Sequence, residues 1–243
     1  MRLNRVHVDA PLAGRRTCEL TGSAAHHVAR VLRLRAGAPL VLFDGAGGEY
    51  LATIAALGEN RVSVAIGEYS AADHESALEL TLAQGISRAD RMDLVIQKAT
   101  ELGVTRIVPI ATQRSVMRGE ETQARRKLEH WRGIAIAACE QCGRNRLPQI
   151  EAPLAWQRWL SARASPGLSL LLSRRSATPL GDAVTGAAGV ELLIGPEGGL
   201  TPEEETAALA AGFRAVRLGP RVLRTETAAI AAIAAIQHQI GDL

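Results

Sequence analysis

Apolar positions change their spacing near residue 78. Before that point they fall in short alternating runs. "LVLFDGAGGEYLATIAAL" reads as two strands around a glycine-rich turn, and "NRVSVAIGEY" alternates at Val62, Val64 and Ile66, the two-residue period of a half-buried strand. Upstream, Ser23 is placed to cap a short helix through "AAHHVARVLRL", which sets His27, Arg30 and Arg33 or Leu34 at three-to-four-residue spacing. Short strands around one helix predict a small β-barrel over residues 1–70, and the polar stretch 71–77 predicts a linker.

From Leu78 to residue 243, apolar runs of strand length alternate with helical segments. The predicted strands are "LELTLAQGI", "RIVPIA", "LSLLLS", "VELLIG" and "AVRLG", with helices around 91–102, 120–142, 201–211 and 225–240. Such alternation predicts an α/β domain with crossover connections and a mostly parallel sheet covered on both faces. The last helix, "TETAAIAAIAAIQHQI", carries a ridge of Ile230, Ile233, Ile236 and Ile240 with alanines over most of the rest. A helix so apolar all round is expected to be buried, inside the fold or across a dimer interface.

Composition changes little in this picture. With 243 residues, 47% of them hydrophobic, the chain can bury a substantial core. It lacks any run of the roughly 18 apolar residues that span a membrane, and its N-terminus lacks a signal-peptide core; a cytoplasmic protein is expected. Three cysteines are too few for a disulfide framework. Cys139 and Cys142 have the C-x-x-C spacing, but two further ligands for zinc are missing nearby, so no metal is expected. The net charge of +3 permits a nucleic-acid partner without requiring one. From Arg114 to Arg146, eight basic residues stand against four acidic ones, which fits either an RNA-facing surface or a solvated helix face.

The stretch "LLIGPEGGLTPEEE" (192–205) carries the most chemistry. An apolar run enters a glycine-rich turn and leaves into a helix, as in phosphate-binding loops. The charges argue otherwise. Thr201 as N-cap, Pro202 at the first position and Glu204 completing a capping box occupy the helix amides, and three glutamates fill the positive end of the dipole. A neutral or cationic ligand fits better than a polyphosphate. A second strand-to-helix loop, "RLGPRVLRTETA" (217–228), again has a Gly-Pro turn, with a threonine expected to cap the helix. Two such loops at the carboxyl ends of parallel strands mark a ligand site.

"QGISRADRMDLVIQKATELGV", "RSV" (114–116), "EQCGRN" (140–145), "IGPEGGLTPEE" and "LGPRVLRTETA" resemble, in order, the motifs of the RsmE-type 16S rRNA uridine-N3 methyltransferases of the SPOUT superfamily. "HHVARVLRLRAG" is similar to that family's N-terminal module. The resemblance implies a PUA-like β-barrel followed by a SPOUT-type parallel sheet with a C-terminal trefoil knot, a homodimer, and S-adenosyl-L-methionine as cofactor. The implied reaction is methylation of N3 of a uridine in 16S rRNA of the small ribosomal subunit. A knotted methyltransferase acting on another RNA site, such as a ribose 2′-OH, or a non-catalytic RNA-binding assembly factor, are the alternatives.

The same resemblance implies cofactor contacts at Leu172, Ser173, Gly195, Glu197, Gly198, Leu218, Gly219, Leu223, Arg224, Thr225 and Ala228. Arg224 would stabilise negative charge developing on uracil oxygens. Glu197 either assists proton removal or braces its own turn. Arg2, Arg5, His27, Arg30, Arg33, Arg88, Arg91, Arg114, Arg144 and Arg146 are the candidate RNA contacts, and Lys98 with Glu101 is expected to be a surface pair.

Overall fold

The structure is a computed structural model that describes residues 3–115, 121–163 and 167–243; Arg2 and Val116 lie outside the described residues. It divides into two units, Met1–Glu75 with Cys139–Leu147, and Ser76–Ala138 with Pro148–Leu243.

The first unit contains β1 (Arg5–His7), β2 (Thr17–Thr21), α1 (Gly22–His26), β3 (Pro39–Phe43), β4 (Glu49–Leu57) and β5 (Arg61–Ser70). These strands form one sheet in the order β1-β3-β4-β5-β2, parallel between β1 and β3 and antiparallel elsewhere. The alternation read at Val62 and Val64 puts both side chains in the core, against Leu20, Leu40, Leu42 and Ile54. The helix differs from expectation. Ser23 lies inside α1, whose N-cap is Thr21 without a side-chain bond. From His27 to Val31 the chain continues as a π-helical turn, with Leu32 N–H bonded to His27 O at 2.9 Å. Arg33, at φ +52°, takes the left-handed conformation that ends a helix. The three-to-four spacing predicted for His27, Arg30 and Arg33 is therefore lost.

Buried polar groups tie this unit together. Arg5 pairs with Glu49 and with Asn145 Oδ1, Asn145 Nδ2 donates to Ala72 O at 2.8 Å, and Arg144 Nε donates to Glu75 at 2.9 Å. His7 N–H donates to Glu140 at 3.0 Å, while burial pushes the Glu140 carboxyl above its ordinary value. The Cys139 thiol is buried, and loss of hydration pushes it up to about 12, so it is neutral and unreactive near pH 7.

The second unit follows the predicted alternation: β6 (Glu79–Gly85), α2 (Ala89–Glu101), β7 (Arg106–Ala111), α3 (Glu121–Cys142, whose last turn belongs to the first unit), β8 (Gln149–Ile150), β9 (Leu154–Ala155), α4 (Trp156–Ala162), β10 (Leu168–Leu172), α5 (Leu180–Ala183), β11 (Gly189–Ile194), α6 (Pro202–Ala210), β12 (Arg214–Val216) and α7 (Thr225–Ile240). The sheet order is β12-β10-β11-β6-β7-β8, with β9 also on β7, and every pairing is parallel. Alternate residues of each strand face opposite layers. Leu80, Leu82, Leu170, Val190 and Leu192 pack with α2, α5 and α7, whereas Ala83, Leu171 and Leu193 pack with Trp156 and Trp159 of α4 and Ala208 of α6.

The terminal helix is buried in its own fold, as its composition predicts. Ala229, Ala232, Ile233 and Ile236 are fully covered and share a cluster with Met92, Val95, Ile96 and Ala99 of α2. Small residues there let the two helices approach closely. Among the described residues no helix is long and apolar enough to cross a membrane, and no cluster suited to a metal ion occurs. Replacing Ile236 by Ala leaves a cavity in this layer and should lower unfolding stability by about 2–5 kcal/mol in chemical denaturation; a loss under about 1 kcal/mol would mean that α7 is not part of the core.

Candidate active site

Three loops leave the carboxyl ends of the adjacent strands β10, β11 and β12 and converge on a cavity of about 430 Å³, within the size range of small-ligand sites. Every residue assigned above to the cofactor lines it.

The β11–α6 loop owes its shape to the capping box. Thr201 accepts the Glu204 N–H at 3.2 Å and its own N–H reaches Glu204 Oε2 at 3.0 Å, while Glu204 Oε1 also takes the Gln113 N–H at 2.8 Å. The glutamate that looked like a charge at the helix start is thus buried and fully used. Gly195 permits a close backbone approach: a Cβ there would stand 2.8 Å from Leu200 N and 3.0 Å from Gly199 C.

The start of α7 departs from expectation in an informative way. Thr225 is not the cap; it is the first helical residue, behind Arg224, whose side chain makes no capping bond. The Thr225 hydroxyl instead donates to Gly195 O at 2.7 Å and accepts from Gln84 Nε2 at 3.0 Å. Gln84, fully buried at the end of β6, also donates to Gly85 O at 3.0 Å. This chain of bonds fastens both ligand loops to the sheet. Sequence reasoning missed Gln84; its polar amide within an otherwise apolar strand was the available signal.

The charged residues sort unequally. Glu197 accepts the Arg88 N–H at 2.9 Å and stands 3.3 Å from Arg91; Arg91 in turn lies 3.9 Å from the buried Glu226. Arg114 donates to Gly198 O at 2.9 Å and Leu200 O at 3.2 Å, so it steadies the loop. Arg224 is exposed and lines the cavity, and its side chain has no hydrogen bond or ion pair among the described residues. Lys98 and Glu101 form the expected pair at 2.8 Å.

Arg30, Arg33, Arg88 and Arg146 are exposed and His27 is half-buried. Arg5 and Arg144, at 8% and 3% exposure, are a correction: both guanidinium groups face half-buried carboxylates, Glu49 and Glu75, in the first unit. Pulling either one out toward a phosphate would leave its half-buried partner unpaired. Four further arginines at the cavity, Arg174, Arg175, Arg217 and Arg221, were not foreseen.

A wider cleft of about 760 Å³ lies beside Trp156 and α6. Among the described residues its wall includes no glycine and no cation, so the cavity at the three strand ends is the better site.

Fold and site together define an α/β protein that takes a small ligand at loops following parallel strands. Residues 74–237 match the family described as RNA methyltransferase domain, and residues 20–67 match the RNA methyltransferase PUA domain. The chain is 31% identical over 242 residues to the ribosomal RNA small subunit methyltransferase E of Buchnera aphidicola subsp. Schizaphis graminum, covering 100% of this chain and 98% of that one. Among solved structures, a methyltransferase from Legionella pneumophila in complex with SAM is 37% identical with a TM-score of 0.95, and both chains are covered completely. The ribosomal RNA small subunit methyltransferase E of Neisseria gonorrhoeae bound to S-adenosyl methionine is 38% identical with a TM-score of 0.91, again over 100% of each chain. The chain belongs to the ribosomal RNA small subunit methyltransferase E family.

The Thr225 bond gives a direct test of the site's construction. Thr225→Val keeps the shape but removes the shorter of the two bonds to Gly195 O and the acceptor of Gln84 Nε2, and should destabilise by about 1–3 kcal/mol; Thr225→Ser should retain most of the stability in the same denaturation experiment.

Proposed function

We propose that the protein uses S-adenosyl-L-methionine to methylate N3 of a uridine in small-subunit 16S rRNA, working in the cytoplasm as a homodimer with a trefoil knot at its C-terminus. The observation that carries this reading is the cavity itself: two glycine-bearing loops, joined through Thr225, line one pocket of about 430 Å³. Two solved relatives of this fold hold S-adenosyl methionine.

The residues present fit such a cofactor. Leu172, Leu218, Leu223 and Ala228 offer apolar surface, and Gly195, Gly198 and Gly219 leave backbone groups accessible. Glu197 supplies a carboxylate that suits a sulfonium cation. When bound, the cofactor supplies an activated methyl group. The chain's task is then orientation and charge. Uridine N3 carries a proton near neutral pH, so the uracil must become anionic as it reacts. The unpaired guanidinium of Arg224 can sit against its oxygens, where the fixed fork stabilises that charge. Glu197, committed to Arg88 N–H and Arg91, acts as the brace of its turn.

Incubating the protein and labelled cofactor with unmodified small subunits and with naked rRNA, then digesting to nucleosides for mass spectrometry, should place the label on uridine N3. Label on a ribose 2′-oxygen, or none at all, would refute the reading. Gly195→Val should abolish cofactor binding in calorimetry, because its Cβ collides with the backbone of Gly199 and Leu200; retained binding would move the cofactor elsewhere.

A further inference from the structure

Among the described residues the mouth of the cavity carries far more positive than negative charge: seven arginines and two glutamates line it. Arg91 and Arg114 point their groups into the loop, at Glu197 and at Gly198 O, and Arg224 belongs to the proposed chemistry. Arg174, Arg175, Arg217 and Arg221 remain, all exposed. Arg175 approaches Glu205 only to 3.8 Å with its side chain 72% exposed, a pairing of little consequence. Arg174, Arg217 and Arg221 have no side-chain hydrogen bond or ion pair among the described residues.

That distribution contrasts with the rest of the chain. Arg5, Arg106, Arg144 and Arg163 each face a carboxylate at close range. Clustered guanidinium groups without counter-charges repel one another and do nothing for the fold, yet they raise the local potential around the opening and draw polyanions to it. The positions are specific. Arg174 and Arg175 follow Ser173 at the end of β10, and Arg217 and Arg221 bracket Leu218 and Gly219, so each pair sits on a loop that also lines the cavity. Beside Arg221, Val222 is 70% exposed, an apolar surface amid the cations. A ligand that presents phosphates together with unstacked bases matches that mixture; the planar forks of arginine suit phosphate oxygens.

We propose that Arg174, Arg175, Arg217 and Arg221 form a phosphate-binding collar that holds the substrate RNA strand across the mouth of the cavity. The collar rests on the RNA-methylating reading above. It moves the main RNA-binding surface away from Arg5 and Arg144, whose groups are buried, and onto the loops that hold the cofactor.

The test is equilibrium binding of a single-stranded fragment of small-subunit rRNA across a salt series, for the wild type and for Arg174→Gln, Arg175→Gln, Arg217→Gln and Arg221→Gln. Each variant should flatten the slope of log K against log salt by about 0.7 for every phosphate it no longer neutralises, with Arg→Lys at the same positions restoring most of it. Cofactor affinity, measured by calorimetry, should stay within about twofold, a small change on the affinity scale. Unchanged slopes in all four variants would overturn the collar. So would a loss confined to cofactor affinity, which would assign these groups to a carboxylate of the small ligand instead. Flattened slopes in the variants, beside a wild type that methylates no uridine, would uphold the collar and refute the proposed reaction, so the two failures are separable.

Discussion

The hydroxyl of Thr225 holds the site together. It donates to the carbonyl of Gly195 and accepts from Gln84, so the loop after β11, the start of α7 and the end of β6 share one point. All three groups are polar, and Gln84 and Thr225 are buried, which makes the arrangement costly to leave half-satisfied and therefore well defined. The loop can be rich in glycine and still keep one shape because its ends are fixed, by this bond on one side and by the Thr201–Glu204 box on the other. A rigid backbone surface is what the nucleoside part of the ligand needs, since adenine and ribose carry no charge to grip.

Charge is distributed by the same logic. Within the loops nearly every carboxylate has a defined partner: Glu204 caps a helix and takes the Gln113 N–H, and Glu197 meets Arg88 N–H and Arg91. Glu226 is the partial exception, buried with one oxygen lacking a hydrogen bond. The uncompensated cations stand outside, at the opening. A pocket with a fixed interior and a positive rim separates two recognition tasks, shape for the small ligand and field for the large one.

Much of this was legible in the chain. The long strands β6, β7, β10 and β11 announce themselves as apolar runs, and the capping box of α6 is visible residue by residue because its chemistry is local. What failed was non-local. Thr225 reads as an N-cap until Gly195 is known to lie beside it. Arg144 within "EQCGRN" reads as a free cation until Glu75, far away in sequence, turns out to face it. The two-residue strands β8 and β9 carry too short a pattern to detect, and the π-helical turn at His27–Val31 has no signature in residue periodicity. Family resemblance supplied the cofactor and the target, which no spacing rule contains.

The first unit is not a contiguous length of chain. Asn145 and Arg144 fill positions against Arg5 and Glu75, so the N-terminal sheet has its polar interior completed only by residues that lie beyond α3. During synthesis, then, Arg5 and Glu49 must wait, solvated and without Asn145, until the chain has grown past that helix. A piece cut after Glu75 would carry the same strands with a gap where Cys139–Leu147 belongs, and would have to be judged as an unfinished object rather than as an independent RNA-binding module.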